Sequence, residues 1–535
     1  MSKKNKKRGG RKQKRKSPFS NLNISRIGQH KWAGGKLHPP LAQLPSMTTS
    51  SWADDHMPEM LWAVLLTGVL EREHYLVCFR RLAGLCREWF KKNDPAEQGP
   101  SVPDKEVGLN FTVIVDHTKL SEISDEQFRQ FVAIPLSHPL GYAALRPLLL
   151  IESLPGLERW KQALSVDPTP DDWQTLGDAI AGVLDHQSQA STDIRWFKVI
   201  LPILSGRMFY PESMAERLEE LRLFPNKGDM RSVRPHIRSS EMTLRRNPAT
   251  AWVQTFWAQL LEQTKCIDPT REDHSFVETV IDPKGLYGVR YEVIRRFMEN
   301  ITAKRADARL DSAFGLVLYG LSIVEELGLH RVQMRIVGRL ALRALVEASI
   351  TLRYLAQKDD ENLWRSYRVY GAGQAKLAFL KAQELEGDLP PFMDEAALHQ
   401  IANEDIWQEF LNIDVGHWAN SNLRKLAIEC GAKDLYDKYY DWASTYAHSH
   451  WGAIRDTNFI TCHNPLHRLH RIPRLDHRTL TSVEQDAIEL VNQMLDVLNG
   501  LYSGENALGE LSLMVESKVT GKDKKEGGEP STESE

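Results

Sequence analysis

The strongest candidates for chemistry are polar residues on two predicted helices that lie far apart in the chain. In the first, RIVGRLALRALVEASITLRYLA, the residues Arg343 and Glu347 share one side of a helix that is apolar almost all round. A helix of this composition is typically buried, and a buried charge needs a partner. We therefore predict that Arg343 and Glu347 either form a structural ion pair or line a polar pocket.

The second helix, DLYDKYYDWASTYAHSHW, places Ser444 and His448 on a polar stripe, whereas His450 lies among aromatic residues. This stripe faces either solvent or the helix that carries Arg343, and in the second case the four polar residues converge in a bundle. A histidine oriented by a carboxylate can move protons near neutral pH, and an arginine can hold a phosphate. We predict a catalytic set with His448 as proton shuttle, Glu347 as its orienting group, Arg343 as phosphate clamp and Ser444 beside them.

A histidine-rich stretch, CHNPLHRLHRIPRLDH at 462–477, is the alternative place for chemistry. His463 and His467 are four residues apart, as two metal ligands on one helical face would be, but Pro465 stands between them. The cysteine and histidines of CHNPLHRLH do not have a standard zinc spacing. We predict a basic connecting loop that could contact phosphates, with no metal and no cofactor; metal binding is the alternative.

The N-terminal segment is the clearest electrostatic feature of the sequence. Residues 3–16 contain ten Lys and Arg side chains and no acid, although the whole chain has a formal net charge of −3. Such a segment is expected to bind RNA or DNA with an affinity that depends on salt, and anionic membrane surfaces are the competing partner. The predicted nucleic-acid-binding residues are Lys3, Lys4, Lys6, Lys7, Arg8, Arg11, Lys12, Lys14, Arg15 and Lys16.

A second basic stretch, MRSVRPHIRSSEMTLRR at 230–246, is rich in arginine and lies in a region that is predicted to be helical. Its guanidinium groups either pair with acids on an adjacent surface or grip phosphates or an acidic partner. The sequence leaves both alternatives open.

Composition indicates a soluble, cytoplasmic protein. The 535 residues are 42% hydrophobic and 26% charged, as in ordinary globular proteins. The five cysteines are scattered and form no C-x-x-C pair, which is typical of a reducing compartment. The apolar runs are shorter than the roughly 20 residues that a transmembrane helix needs, so no transmembrane segment is predicted. A homo-oligomer is compatible with these features.

The apolar periodicity predicts an all-α protein, with an N-terminal helical domain followed by a C-terminal helical bundle and disordered termini. We place a disordered basic tail and linker at 1–50, the first domain at 51–265, the bundle at 290–505, and a disordered charged tail at 510–535. Capping boxes are predicted at Ser124 to Gln127, SDEQ, and at Thr481 to Glu484, TSVE. The helix that carries His448 is expected to run continuously over 434–451.

Two stretches carry a resemblance to a known family. GRLALRALVEASITLRYLAQKDDENLWRSYRVYGAGQAKLAFLK at 338–381 and YYDWASTYAHSHWG at 439–452 resemble uncharacterised bacterial proteins known as domain of unknown function 5677. The resemblance covers the region 300–500; it implies an all-helical domain and no established activity. A looser resemblance is to helical HEPN domains, many of which are ribonucleases of defence systems. Those carry an arginine shortly before a histidine on a late helix, whereas DWASTYA, just before His448, contains no arginine.

Three functional hypotheses follow from these patterns. The first is a bacterial helical protein that engages nucleic acid, as a HEPN-like, metal-independent ribonuclease in stress or phage defence. The second is a non-enzymatic ligand-binding or interaction module that uses the same polar pocket. The third is a helical scaffold in which the polar cluster only specifies packing.

Overall fold

The structure is a computed structural model, and its described residues fall into two compact units. Unit 1 comprises the range 1–269 together with 461–471, and unit 2 comprises 270–460 together with 472–535. The described residues are 26–43, 51–92, 113–204, 212–243, 251–267, 279–304, 306–386, 389–404, 406–407, 409–414, 416–419, 422–476, 478–504 and 506–515.

Both units are built from helices, which confirms the predicted all-α class. Unit 1 contains the helices α1 (Leu61–Val69), α2 (Arg72–Lys92), α3 (His117–Glu122), α4 (Asp125–Leu136), α5 (Gly141–Leu145), α6 (Leu157–Leu164), α7 (Asp171–Leu184), α8 (Gln189–Leu204), α9 (Ala215–Arg222), α10 (Met230–Thr243) and α11 (Ala251–Gln263). Unit 2 contains α12 (Pro283–Glu299), α13 (Ala308–Leu329), α14 (Ile336–Lys358), α15 (Glu361–Gln383), α16 (Glu395–Ala402), α17 (Leu423–Glu429), α18 (Lys433–Leu435), α19 (Asp441–Ala447), α20 (Trp451–Asn458) and α21 (Glu484–Leu501).

The strands among the described residues are short and pair two by two. They are β1 (Lys31–Ala33), β2 (Lys36–His38), β3 (Thr279–Ile281), β4 (Phe459–Thr461), β5 (Arg471–Pro473) and β6 (Leu513–Val515). β1 pairs with β2, β3 with β6, and β4 with β5. Single turns of 3-10 or π geometry join several helices; the π turn Tyr436–Tyr440 leads from α18 into α19.

The core of unit 1 is organised around α1, whose residues 61–66 are all buried. The indole of Trp62 meets the rings of Phe79, Phe131 and Phe197 edge to face, with centroid distances of 5.1–6.0 Å. Its Nε1 donates a hydrogen bond to the main-chain oxygen of Ile114 at 2.8 Å, which satisfies the only polar atom of the side chain. α7 and α8 pack against α1, and α10 packs against α8, so the helices that carry Arg195, Arg234 and Arg238 are joined to this core through α8.

Unit 2 is a bundle in which α14 packs against α13 and α21. α14 contributes Leu345, Ile350 and Leu355 to the core, whereas its Arg343 and Glu347 side chains are partly exposed. By length and composition alone α13 could also cross a membrane, and within unit 2 it contributes buried residues such as Phe314, Val317 and Leu321 to the core.

One short sheet and one strand of a second lie inside segments that were predicted to be disordered. β1 and β2 form a hairpin with Trp32 opposite Leu37; Gly34 and Gly35 make its turn with φ angles of 55° and 74°, which suits a Gly-Gly pair. β6 pairs antiparallel with β3, with residue 280 opposite Met514. The rest of the predicted tails, at 1–25, 44–50 and 516–535, lies outside the described residues.

The assignment of the late segment 461–471 differs from the sequence-based domain boundaries, which placed it in the C-terminal bundle. This segment belongs to unit 1. Its residue Leu466 is 4% exposed and joins the hydrophobic core of unit 1, which gives the segment a packing reason to lie there.

Candidate functional site

Arg343 and Glu347 lie one turn apart on α14 and form an ion pair. Nη2 of Arg343 is 3.0 Å from Oε1 of Glu347, and the two side chains are 26% and 41% exposed. A partly exposed pair at this spacing contributes only about 0.3–0.5 kcal/mol to stability. The pair therefore matters more for the charges it places at the surface of the bundle than for the stability of α14.

Tyr440, at the end of the π turn before α19, also holds the guanidinium of Arg343. Nη2 of Arg343 donates a hydrogen bond to the Tyr440 hydroxyl at 3.0 Å, and its Cζ lies 5.2 Å from the ring centroid. The hydrogen bond to Tyr440 raises the pKa of Arg343; burial opposes this rise and the charge of Glu347 adds to it. Part of the hydrogen-bonding capacity predicted to clamp a phosphate is thus already used.

His448 and Ser444 do not join this pair through polar contacts. α19 ends at Ala447, so His448 is the first residue past the helix; its side chain is exposed, and its ring lies 6.0 Å from that of His450. Ser444 Oγ is buried without a hydrogen-bond partner among the described residues. In the described part of the chain, no hydrogen bond or ion pair links His448 or Ser444 to Arg343 or Glu347. The catalytic roles of these residues stay predictions.

A polar groove of about 770 Å³ opens beside Glu347 in unit 2. Arg368 pairs with Asp311 across this groove, and its Nη2 lies 3.1 Å from Oε1 of Glu404. Three carboxylates and one arginine line the groove together with aromatic rings, at Asp311, Glu347, Tyr367, Arg368, Tyr370, Glu404, Trp418 and Tyr440. This lining suits a neutral or cationic ligand with an aromatic part better than a phosphate. Sequence reasoning found Glu347 but missed the other residues, because they come from separate elements.

A second groove in unit 2, of about 900 Å³, is lined in part by Arg339. The guanidinium of Arg339 donates to the main-chain oxygens of Gln333 at 3.1 Å and Thr481 at 2.5 Å. Burial lowers the pKa of Arg339. These two main-chain hydrogen bonds tie the start of α14 to the segment before α21, so Arg339 is a structural residue of this groove.

Unit 1 contains an arginine cluster formed by Arg195 on α8 with Arg234 and Arg238 on α10. Nη2 of Arg234 donates to the main-chain oxygen of Gln187 at 2.8 Å, and Nη1 of Arg238 donates to Thr192 Oγ1 at 3.3 Å. Both acceptors are neutral, and among the described residues neither Arg234 nor Arg238 forms an ion pair. Burial and the charges of Arg234 and Arg195 together lower the pKa of Arg238 to about 10. Partly buried cations that repel one another favour an anion between them.

The carboxylates near the arginine cluster do not neutralise most of its positive charge. Asp185 is 70% exposed, and Oε2 of Glu241 is 3.8 Å from Nε of Arg195. Glu241 is itself closer to Lys198 Nζ, at 2.5 Å, and to His56 Nδ1, at 2.8 Å. Burial acts to raise the pKa of Glu241, but Lys198, His56 and Arg195 outweigh it and hold that pKa well below its usual range. Glu241 is therefore an ionised carboxylate at the centre of a cationic region.

Four potential metal ligands also meet in unit 1, at Cys266, Cys462, His467 and His470. One ligand atom from each residue lies within 4.8 Å of all the others. The sequence predicted a connecting loop without metal, because the histidine-rich stretch alone has no standard zinc spacing. Cys266, which follows α11, lies beside that stretch and completes a set of two sulfur and two nitrogen donors. His463, the alternative ligand in the sequence, is exposed and outside this set.

The fold and these sites define an all-helical protein of two units, in which the polar residues of α14 and α19 belong to unit 2. Residues 331–465 match a family of unknown function, DUF5677. The matched region contains Arg343, Glu347, Ser444 and His448, so the predicted resemblance of the C-terminal part of the chain is confirmed. Comparison with the curated proteins and with the solved structures gives no match. The looser resemblance to HEPN domains stays a prediction.

Proposed function

We propose that the protein binds nucleic acid through the arginine cluster of unit 1 and the basic N-terminal segment. The observation that carries this proposal is the arginine cluster, in which Arg234 and Arg238 are partly buried and have neutral hydrogen-bond acceptors. A phosphodiester supplies the missing anion, and a guanidinium can bind its two oxygens side by side.

The N-terminal segment supports the proposal from its charge alone. Residues 3–16 lie outside the described residues and carry ten positive charges; subtracting +10 from the total of −3 leaves −13 for the rest of the chain. The rest of the protein therefore repels a polyanion on average, and basic regions must provide the contacts. Each phosphate neutralised releases counterions, so the affinity should fall steeply as salt rises.

Fluorescence anisotropy with a labelled single-stranded RNA and a labelled DNA duplex tests this proposal over a series of salt concentrations. For the duplex, the logarithm of the binding constant should fall by about 0.9 per tenfold salt increase for each phosphate neutralised. Replacing the ten basic residues of 3–16 with Gln in the full chain should lower the affinity and flatten this slope. The double variant Arg234→Gln, Arg238→Gln should bind about tenfold or more weakly, because a charge-assisted hydrogen bond contributes about 1.5–3 kcal/mol.

Arg231→Gln is the matched control for the arginine cluster. Arg231 lies on the same helix, α10, but its side chain is 88% exposed and pairs with Asp229. This variant should bind as the wild type does. If the variant of residues 3–16 and the Arg234/Arg238 variant both keep wild-type affinity at every salt concentration, the proposed function is wrong.

A more specific version of this proposal is that the protein is a metal-independent, HEPN-like ribonuclease in stress or phage defence. The Arg343–Glu347 pair at the surface of unit 2, with the exposed His448 in the same unit, supports it. If His448 shuttles a proton, His448→Ala should slow RNA cleavage by about 10²–10⁴-fold in buffer without added metal and leave RNA binding unchanged. His450→Ala is the neighbouring control. Cleavage by His448→Ala at the wild-type rate contradicts the assigned role.

A further inference from the structure

The segment 461–471 lies in unit 1 directly against the residues that follow α11. Nδ2 of Asn464 donates to the main-chain oxygen of Lys265 at 2.8 Å, and the main-chain N–H of His463 donates to the oxygen of Ile267 at 2.7 Å. These two hydrogen bonds hold the segment on both sides of Cys266. The sulfur of Cys266 is thereby presented to the side chains of the segment.

Three sulfur-to-nitrogen distances among the four donor residues are close to those around a tetrahedral zinc ion. Nδ1 of His467 is 3.5 Å from Sγ of Cys462 and 3.6 Å from Sγ of Cys266, and Nε2 of His470 is 3.3 Å from Sγ of Cys266. Zinc–sulfur bonds of about 2.3 Å and zinc–nitrogen bonds of about 2.0–2.1 Å at tetrahedral angles give sulfur-to-nitrogen edges of about 3.6 Å. These three distances fit the edges of such a shell, and all four donor atoms lie within 4.8 Å of one another.

Thr264 fixes the orientation and tautomer of the His467 ring. The hydroxyl of Thr264 donates to the main-chain oxygen of Leu260 at 2.6 Å, so its oxygen acts as an acceptor towards its other neighbours. Nε2 of His467 lies 2.9 Å from that oxygen, and the Nε2–H tautomer donates a hydrogen bond to it. The lone pair on Nδ1 of His467 then points at the two sulfurs, and a hydrogen bond from the outer ring nitrogen is the usual support of a metal-ligating histidine.

We propose that Cys266, Cys462, His467 and His470 bind one Zn²⁺ ion. The two thiols lose their protons to solvent on binding, so that two thiolates balance the charge of the ion and two neutral imidazoles complete the shell. A tetrahedral set of two sulfurs and two nitrogens selects zinc over the hard cations magnesium and calcium.

The site has a structural role, because the four protein side chains fill a tetrahedral shell and leave no position for a reacting water. It joins the end of α11 to a segment that lies about two hundred residues later in the chain, as the separation of 201 residues between Cys266 and His467 shows. His467 and Cys462 are buried, whereas Cys266 is exposed and His470 is half-buried. The ion can thus enter from the side of Cys266 and His470. This site is independent of the proposed nucleic-acid binding.

Metal analysis of the full-length protein tests the proposal. The protein, purified under reducing conditions, should contain about one zinc per chain, and Co²⁺ exchanged into it should give the absorption of a tetrahedral ion with thiolate ligands. Cys266→Ser and His470→Ala should lose this metal and the Co²⁺ spectrum. Because Cys266 and His470 are the more accessible ligands, these variants disturb folding less than a change at Cys462.

Cys430→Ser and His463→Ala are the matched controls, since Cys430 lies in unit 2 and His463 is exposed beside Cys462. Both should keep the full zinc content and the Co²⁺ spectrum. Wild-type protein that takes up neither ion under reducing conditions overturns the proposal. So does unchanged metal content in Cys266→Ser and His470→Ala, or a Cys266–Cys462 disulfide in the protein as it is purified under those conditions.

Discussion

Removal of zinc by a strong chelator should leave the segment 461–471 and the residues after α11 open to hydrogen exchange. The main-chain hydrogen bonds that hold the segment, such as that from His463 to Ile267, sit beside the ligands and lose their support when the ion leaves. If the free zinc concentration is about a thousandfold above the dissociation constant, binding stabilises the folded state by about 4 kcal/mol. Exchange of peptides that cover 251–267 and 461–471 should therefore rise strongly.

Peptides from α21 in unit 2 provide the internal control for this experiment. α21 contributes Val491, Met494 and Leu495 to the core of unit 2 and has no ligand of the zinc site. Its exchange should not change on chelation, and added zinc should restore the protection in unit 1. Equal exchange of 461–471 with and without the chelator contradicts a structural role for the ion.

Glu241→Ala should destabilise unit 1 by about 3–5 kcal/mol, because it removes the carboxylate from a buried group of charges. Glu241 is 1% exposed, and its oxygens lie 2.5 Å from Lys198 Nζ and 3.8 Å from Arg195 Nε. Without this carboxylate, the two cations remain buried without its compensating charge. Urea unfolding followed by tryptophan fluorescence should show a lower midpoint for the variant.

Glu126→Ala is the control for this prediction, since Glu126 is 63% exposed in its pair with Arg129. The urea midpoint of this variant should stay at the wild-type value, because substitutions of exposed surface residues rarely change stability measurably. The effect of Glu241 also has a defined pH dependence. The folded-state pKa of Glu241 is lowered from 4.5, so its contribution is fully present above the unfolded pKa and is lost as pH falls towards the folded pKa. The penalty of Glu241→Ala should thus shrink in acid; a penalty that is equal at pH 7 and in acid contradicts this account.

The helical architecture could be predicted because its signals are local in the sequence. The predicted capping box at Ser124 is confirmed: its side chain accepts from the main-chain N–H of Gln127, and Gln127 reciprocates. The predicted box at 481–484 is wrong, because α21 begins after Val483 without a side-chain cap. The carboxylate of Glu484 instead accepts the main-chain N–H of Ile281 on β3 at 2.9 Å, a distant contact that no local pattern encodes.

The candidate site in unit 2 also combines a feature that local sequence predicts with one that it does not. Arg343 and Glu347 could be paired from their spacing, because four residues make one helical turn. The position of His448 could not be predicted from its spacing, because the predicted helix over 434–451 is interrupted. Ser449 has a φ of 51°, in the left-handed region, and the chain between Ala447 and His450 has no Gly or Pro to signal this break. His448 therefore leaves the polar stripe on which the helical wheel had placed it.

The proposed zinc site could not be predicted from the sequence for a different reason. Cys462, His467 and His470 are close in sequence, but three ligands in this spacing do not form a recognisable zinc motif. The fourth ligand, Cys266, becomes a neighbour only because Leu466 and Asn464 anchor the late segment in unit 1. That anchoring depends on the tertiary packing of unit 1, which the periodicity of the sequence does not contain.

X-ray absorption spectroscopy at the zinc edge of the full-length protein tests the central claim most directly, because it reads the donor atoms around the ion. The account predicts two sulfur neighbours at about 2.3 Å and two nitrogen neighbours at about 2.0–2.1 Å, and the loss of a sulfur neighbour in Cys266→Ser. A shell of oxygen and nitrogen alone, or the same spectrum in Cys266→Ser as in the wild type, would contradict it.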